Sequence, residues 1–304
     1  MTDPRAPYVG RFAPTPSGPL HLGSLVTATA SYLDARSAGG RWLLRIEDLD
    51  PARSRPAFTD AILGTLEAFG FEWDGVPWRQ SGRGAAYAAS LESLRTLDRL
   101  FPCFCTRRVR SAADNDGDCA GNCRNLPWPP GPSSRWPPHG WRLKRLEGGQ
   151  PTWEERLPQA VGASAERGPL EPLLQRRDGV WAYQLAVVVD DAAQDITHIV
   201  RGADLRSSTP AQRLLQQALG CAAPLYLHLP LVTEADGAKL SKSTHALPVD
   251  ALGGSHGLWE ALRLLRQNPP TGLRGAPVQE LWQWGVKVWD VQRLAGIGAL
   301  PAGG

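Results

Sequence analysis

Two short motifs, about 220 residues apart, set the tightest constraint on how this 304-residue chain can fold. The first is Arg11-Phe12-Ala13-Pro14-Thr15-Pro16-Ser17-Gly18-Pro19-Leu20-His21-Leu22-Gly23-Ser24, and the second is Lys239-Leu240-Ser241-Lys242-Ser243. In the first, His21 and Gly23 fall where a Pro/Gly-rich turn enters a helix. A helix start exposes unpaired amide donors and the positive end of its dipole, and so favours phosphate. An imidazole there can donate to a phosphate oxygen, and Gly23 has no side chain to hold a ring or phosphate off the backbone. In the second, two lysines flank a serine behind Gly237, which supplies mobility. Lys242 can reach over a triphosphate, where fixed cations stabilise the charge that builds on an attacked α-phosphate. Taken singly each motif is weak, since the first also describes a capped Pro-rich turn and the second a solvated basic loop. If both serve one phosphate site, the fold must join residues from opposite ends of the chain.

The charge balance narrows the class of protein. The net charge of +3 does not mark a nucleic-acid binder, but only four lysines occur (Lys144, Lys239, Lys242 and Lys287), and two of them stand in the second motif. The rest of the positive charge is arginine, so a lysine kept there hints that a compact ammonium is needed. The apolar share of 42% and charged share of 21% are those of an ordinary globular chain. Met1-Thr2-Asp3-Pro4-Arg5 lacks the apolar core of a signal peptide, and no apolar run nears the ~20 residues of a membrane span. A cytoplasmic protein is expected, with its five cysteines as thiols or metal ligands rather than disulfides.

Periodicity predicts alternating strands and helices. A strand over Tyr8 to Phe12 leads through the Pro/Gly turn into a helix with Leu22, Leu25, Val26, Thr29 and Leu33 on one face, ended by Gly39-Gly40. Trp42 to Ile46 reads as a second strand, Ala57 to Phe69 as a second helix and Gly84 to Leu100 as a third. Such alternation suggests a parallel sheet. From about Phe101 to Asp178 the pattern breaks into cysteines, prolines, tryptophans and arginines, which reads as an inserted subdomain of loops tied by a metal. Beyond it, Trp181 to Val189 is expected as an apolar strand ended by Asp190-Asp191, and Ile196 to Val200 as another. A helix is expected from Ser208-Thr209-Pro210, with a Thr cap, to Gly220, and a strand from Leu225 to Val232. Helices near Leu258 to Arg266 and Val278 to Val288 close the chain. The expected division is 1–100 and 181–237 as two halves of a Rossmann-like α/β catalytic domain, 101–180 as the insertion, and 238–304 as the lysine-motif loop with a short helical C-terminal region.

Cys103-x-Cys105 and Cys119-x3-Cys123 place four thiols within 21 residues. Four thiolates around Zn²⁺ make a closed tetrahedral site, structural rather than catalytic. The one-residue gap of the first pair is tighter than usual, and four free cytosolic thiols are the alternative. Cys221, after a helix end, reads as a plain packed thiol.

Several motifs in order carry a family resemblance: Arg11 to Gly18, Leu44-Arg45-Ile46-Glu47-Asp48-Leu49-Asp50, Gln80-Ser81, Tyr183-Gln184-Leu185-Ala186-Val187-Val188-Val189-Asp190-Asp191, Asp195 to Gly202 and His228-Leu229-Pro230-Leu231. Over roughly residues 8 to 80 and 180 to 245 the chain resembles the catalytic half of the glutamyl-tRNA synthetases, of the class I aminoacyl-tRNA synthetase family. It is more similar still to their truncated paralogues, the glutamyl-queuosine tRNA(Asp) synthetases. The resemblance implies a class I parallel sheet with a zinc-bearing insertion. It implies a glutamate pocket lined by Arg11, Phe12, Ala13, Pro14, Thr15, Glu47, Tyr183 and Arg201. It implies ATP, with its Mg²⁺, held by His21, Gly23, Lys239 and Lys242, with His21 and Lys242 in the catalytic step. The chemistry agrees: guanidinium forks suit the two carboxylates of glutamate, and Glu47 suits its ammonium. Salt bridging within the fold is the alternative use of those charges. The sequence departs at Ser24, where the family has a second histidine, and at Leu240 for methionine. The Arg201-Gly202-Ala203-Asp204-Leu205 run resembles the truncated branch. There the family has Cys-x-Cys followed by Tyr-x3-Cys, so Cys119 in place of the tyrosine improves the zinc site.

The expected activity is ATP-dependent formation of glutamyl-adenylate without tRNA, then transfer of glutamate to the cyclopentenediol of queuosine at the wobble position of tRNA(Asp), by a monomer. Only 61 residues follow Ser243, short for an anticodon-reading domain, so the catalytic pocket itself is expected to take the anticodon loop. Arg107, Arg108, Arg110, Arg142 and Arg145 would meet its phosphates. A short enzyme charging a tRNA 3′ end shares every pocket motif. A catalytically silent RNA-binding module is the alternative from another class, and the intact Glu47, Tyr183, Arg201, His21 and Lys242 count against it.

Overall fold

The structure, a computed structural model, describes residues 7–106, 109, 117–121, 123–126, 136–157, 168–234 and 249–302. Its centre is a set of parallel strands. β1 (Val9–Phe12) pairs with β2 (Arg41–Ile46), with Val9 opposite Arg41 and Phe12 opposite Leu44, and β2 pairs with β3 (Trp78–Arg79). The Tyr8 carbonyl accepts from the Arg41 amide, and the next carbonyl, Val9, facing the other edge, accepts from the Thr197 amide at 3.0 Å. That places β7 (His198–Gly202) beside β1, and β7 pairs in parallel with β8 (Leu225–Leu229).

Helix α1 (Leu22–Ser37) connects β1 to β2 and packs on both. His21 is its N-cap, and the chain leaves it through Gly39, whose φ of +66° suits glycine. α2 (Pro56–Ala68) begins with proline in its first turn. α3 (Gly84–Thr96) stops four residues before Leu100, because Asp98 turns the backbone left-handed at φ 51° and Leu100 already opens β4 (Leu100–Cys103).

The span expected as metal-tied loops contains a sheet. β4, β5 (Gly140–Leu143) and β6 (Leu173–Gln175) run antiparallel in that order. Short strands in a proline-rich stretch leave too few residues for an alternating pattern to be read.

The expected strand over Trp181 to Val189 is instead a helix, α4 (Tyr183–Ala193). Leu185 to Val188 are all buried, against Leu94, Leu143, Leu214 and Leu215. A helix covered on nearly every side reads as a continuous apolar run, and periodicity then fails to separate it from a buried strand. Asp190 and Asp191 do not end the element; they lie inside it and are buried.

α5 (Thr209–Leu219) starts at the expected place and ends at left-handed Gly220. Its N-cap is Ser208, which makes no side-chain capping bond, while the Thr209 hydroxyl accepts from Arg201. Pro230, which cannot donate to a ladder, splits the expected strand over 225–232 into β8 and β9 (Leu231–Thr233). β10 (Ala299–Pro301) pairs in parallel with β9.

The C-terminal helices α6 (Gly254–Leu264) and α7 (Val278–Val288) lie against α1. From α7, Trp282 packs on Tyr32 and Phe71, which in turn pack on Trp42, and its indole donates to the Phe69 carbonyl at 2.9 Å. Truncating such a core tryptophan costs about 3–5 kcal/mol, so the C-terminal helices are part of the same core. No helix among the described residues is long and apolar enough to cross a membrane.

Candidate active site

A cavity of about 500 Å³ opens at the C-terminal ends of β1, β2 and β7. Its lining includes Arg11, Phe12, Ala13, Pro14, Thr15, His21, Gly23, Glu47, Tyr183 and Arg201, all of them expected from the sequence. Lys239 and Lys242 lie outside the described residues. The volume suits a small-molecule site.

The floor of the cavity is a buried ion network. Asp191 accepts from Arg11 Nε at 3.2 Å and from an Arg45 terminal nitrogen at 2.8 Å. Arg45 also donates to Gln194 at 2.7 Å and lies 3.7 Å from Glu47. Asp190 receives Gln80 at 2.9 Å, Arg83 at 2.5 Å and the Tyr87 hydroxyl at 2.8 Å. Burial alone would favour neutral Asp191, but Arg11 and Arg45 hold its carboxyl below the ordinary range. Helical spacing sets Tyr183, Val187 and Asp191 on one face of α4, so the helix delivers both Tyr183 and Asp191 towards the cavity.

Glu47 follows β2 and is anchored by its amide, which donates to the Pro14 carbonyl at 3.0 Å. The same contact fixes the Arg11 to Thr15 segment. Glu47 Oε1 is buried without a hydrogen-bond donor. Burial pushes its carboxyl up to about 7, against the pull of Arg45 and Arg11. An orphaned acceptor in a cavity wall is costly unless a donor arrives. A ligand ammonium would satisfy it.

Arg201, on β7, is held differently. Its Nε donates to His228 Nε2 at 3.1 Å, one terminal nitrogen to Gln212 at 2.8 Å and the other to Thr209 at 2.9 Å. All three partners are neutral, and no carboxylate among the described residues pairs with it. Arg201 therefore brings a buried, uncompensated positive charge to the cavity, a strong demand for an anion. Arg11, by contrast, shares Asp191 with Arg45.

At the phosphate end, His21 Nδ1 accepts from the Ser24 amide at 3.2 Å, and its Nε2 lies 3.2 Å from the Ser24 hydroxyl. The amide contact makes Nε2 the protonated nitrogen, so Ser24, standing where the family has a second histidine, orients the first. A Cβ on Gly23 would sit 3.2 Å from the His21 ring. The glycine thus makes room for the imidazole as well as for a ligand.

The four cysteines converge below the insertion sheet. Sγ–Sγ separations are 3.8 Å for Cys103–Cys119, 3.7 Å for Cys105–Cys119 and 3.6 Å for Cys105–Cys123, and all four lie within 4.8 Å of one another. Tetrahedral Zn²⁺ with bonds near 2.3 Å sets sulfurs about 3.8 Å apart, so the cluster can hold zinc. Glu171 supports it by accepting from the Cys119 amide at 3.3 Å while pairing with Arg124 at 2.6 Å.

One expectation about basic residues changes. Arg142, expected at an RNA phosphate, is 1% exposed and donates to the Gly117 and Glu171 carbonyls, so it is an internal strut. Arg145 is more than half exposed and pairs with Asp118; Arg107, Arg108 and Arg110 lie outside the described residues. Motif and spacing assign no role to Arg45, Asp190, Asp191, Glu155 or His228. The available signal was a charged residue inside an apolar strand, as at Arg45, and two aspartates ending an apolar run.

The family model for class I tRNA synthetases (E and Q), catalytic domain, matches residues 8–122 and 134–262. The glutamyl-Q tRNA(Asp) synthetase of Aromatoleum aromaticum is 50% identical over 297 residues, covering 96% of this chain and 91% of that one. The enzyme of that name from Pseudomonas aeruginosa PAO1 is 48% identical over 294 residues, covering 97% of both. Among solved structures, glutamate-tRNA synthetase from Elizabethkingia anophelis superposes with a TM-score of 0.73 at 26% identity, over 96% of this chain and 68% of that one. A glutamate tRNA ligase from Elizabethkingia meningosepticum, solved with its amino acid, gives 0.71 at 26% identity, over 96% of this chain and 66% of its own length.

Proposed function

We infer the activity from one premise: the chain belongs to the class I tRNA synthetase family for glutamate and glutamine, among the glutamyl-Q tRNA(Asp) synthetases. We propose that it activates L-glutamate with ATP, without tRNA, and then glutamylates the cyclopentenediol of queuosine at the wobble position of tRNA(Asp). The observation that carries this reading is one cavity presenting the uncompensated guanidinium of Arg201, Arg11 and the donor-less Glu47 oxygen together. That set complements a ligand with two carboxylates and one ammonium.

In this reading Arg11 and Arg201 take the two carboxylates, Glu47 takes the ammonium and Tyr183 closes the wall. An α-carboxylate oxygen attacks the α-phosphorus of ATP; the new O–P bond forms as the bond to pyrophosphate breaks. The N-terminus of α1, with His21 and Gly23, faces the phosphates, and Lys239 and Lys242 bring ammonium charge to them. ATP would bring its own Mg²⁺, which would neutralise part of the phosphate charge. A queuosine hydroxyl then attacks the adenylate carbonyl carbon, making the ester and releasing AMP. The four cysteines would hold one structural Zn²⁺ that fixes the insertion, and Arg145 with Arg107, Arg108 and Arg110 would contact RNA phosphates. The setting is the cytoplasm, where tRNA and ATP meet.

Transfer of labelled glutamate to purified tRNA(Asp), with and without queuosine, tests the reading. Label is expected only on the queuosine-containing form. Ester on tRNA(Glu) would overturn it, and absence of glutamate-dependent pyrophosphate exchange would leave a silent RNA-binding module.

A further inference from the structure

Three residues from three separate segments form a chain that ends in the cavity. Glu155 lies in the segment between β5 and β6 and runs beside β8: the Arg156 amide donates to the Tyr226 carbonyl at 2.8 Å, and the Tyr226 amide to the Glu154 carbonyl at 3.0 Å. The Glu155 carboxylate grips His228 twice, accepting from its backbone amide at 3.1 Å and meeting its Nδ1 at 2.6 Å. His228 Nε2 in turn accepts from Arg201 Nε at 3.1 Å and lies 3.3 Å from the Thr209 hydroxyl.

The protonation state follows from these partners. A guanidinium N–H points at Nε2, so Nε2 must be the lone-pair nitrogen and Nδ1 must carry the proton, which goes to Glu155. Burial and the neighbouring guanidiniums of Arg201 and Arg206 act in the same direction, holding the imidazole neutral although Glu155 pulls the other way. Were Nε2 to carry the proton, in the other tautomer or in the protonated ring, an N–H would face an N–H and Arg201 would be displaced. Arg201 has five N–H donors. His228, Gln212 and Thr209 each take one, which leaves two for the cavity. The direction of those two depends on the Nε contact, because the guanidinium is planar and rigid.

We propose that Glu155 and His228 are positioning residues that aim Arg201 at a substrate carboxylate, so that the segment between β5 and β6 sets the affinity of the amino-acid pocket. This rests on the glutamate pocket proposed above. Arg206, 3.1 Å from Glu155 and stacked over Trp153, holds the outer end of the chain.

The test uses the full-length protein in glutamate-dependent pyrophosphate exchange, with calorimetric titration of glutamate alongside. H228L keeps the volume and removes the acceptor. H228Q puts an amide oxygen close to where Nε2 stood, and so keeps an acceptor for Arg201. H228L is expected to raise KM for glutamate about tenfold or more, as loss of a bond to a charged group does, with KM for ATP within about twofold of wild type. H228Q is expected to recover most of that loss, and E155A to fall between them. Equal losses in H228L and H228Q, or parallel rises in both KM values, would mean a packing role and overturn the inference; so would unchanged glutamate KM in H228L. Should H228L not fold, E155A against wild type decides by the same split of glutamate KM from ATP KM. Wild-type protein that neither binds glutamate nor exchanges would instead overturn the proposed function, leaving the variants with nothing to modulate.

Discussion

The amino-acid cavity and the cysteine cluster solve the same problem by opposite means. Each must hold polar groups out of water. The cavity does so with a preformed network, in which Arg11, Arg45, Asp190 and Asp191 are buried and partnered on α4, β1 and β2, all rooted in large apolar cores. The cluster sits on one side of a three-stranded sheet: Leu100, Leu143 and Leu174 of that sheet pack into the core around α4, while the buried apolar group on the cluster side is little more than Phe101 and the thiols themselves. A small core of that kind contributes little stability, and a metal is the usual supplement. The charged floor should therefore matter to the whole fold, and the thiols to their own neighbourhood.

The largest effect tests the floor. D191N leaves Arg11 buried with a neutral partner and Arg45 with only its longer contacts to Glu47 and Asp190, and should destabilise the protein by about 3–5 kcal/mol, read from denaturant unfolding. A loss below about 1 kcal/mol would show that water or neighbouring groups replace the carboxylate, and would erase the contrast. Next comes the donor-less acceptor. E47Q keeps shape but removes the charge for a bound ammonium, and should weaken glutamate about 100-fold, equivalent to roughly 3 kcal/mol, with ATP binding little changed.

The pH dependence sharpens the same point. With its carboxyl pushed up to about 7, Glu47 is protonated below that pH and cannot pair with an ammonium. Glutamate affinity should fall by up to about tenfold per unit as pH drops below 7, and E47Q should flatten the profile. The ligand-free protein behaves in the opposite sense. The folded carboxyl binds a proton more tightly than the unfolded one, at an ordinary 4.5, so this group's contribution to stability is lost as pH rises through that window to about 7.

The smallest effect on the cavity should come from the cluster. Chelation, or C119S, is expected to release about one Zn²⁺ per chain and to expose the insertion to proteolysis. Glutamate-dependent exchange should stay within about threefold, while transfer to tRNA falls much further. Equal losses in both steps would mean that the insertion and the cavity form one cooperative unit, joined through Glu155.

Much of the cavity was legible in the sequence because its parts sit in local motifs. Pro14, Gly18 and His21 announce a turn entering a helix by their own backbone preferences, and the alternation around β1, α1 and β2 is amphipathic. Where burial is complete the signal is lost. α4 reads as a strand because Leu185 to Val189 meet apolar neighbours on all sides, which removes the helical period. The position of Asp191 on the Tyr183 face is visible only once the helix is recognised. Arg142 failed for a related reason: an arginine in a basic stretch looks solvated, and only the sheet around it shows that its donors end on carbonyls.

The chain alone determined which chemistry is present: guanidiniums and one carboxylate for an acidic amino acid, a phosphate-facing helix start, and four thiols close enough in sequence to share a metal. These follow from residue type and short spacing, which local backbone geometry converts directly into structure. Tertiary packing decided how each charge is used. It paired Arg11 with Asp191, gave Arg201 only neutral neighbours, left one Glu47 oxygen without a donor, and brought Glu155 from the insertion to His228. Those choices depend on contacts between residues up to 180 positions apart, and no local rule of spacing or propensity reaches that far.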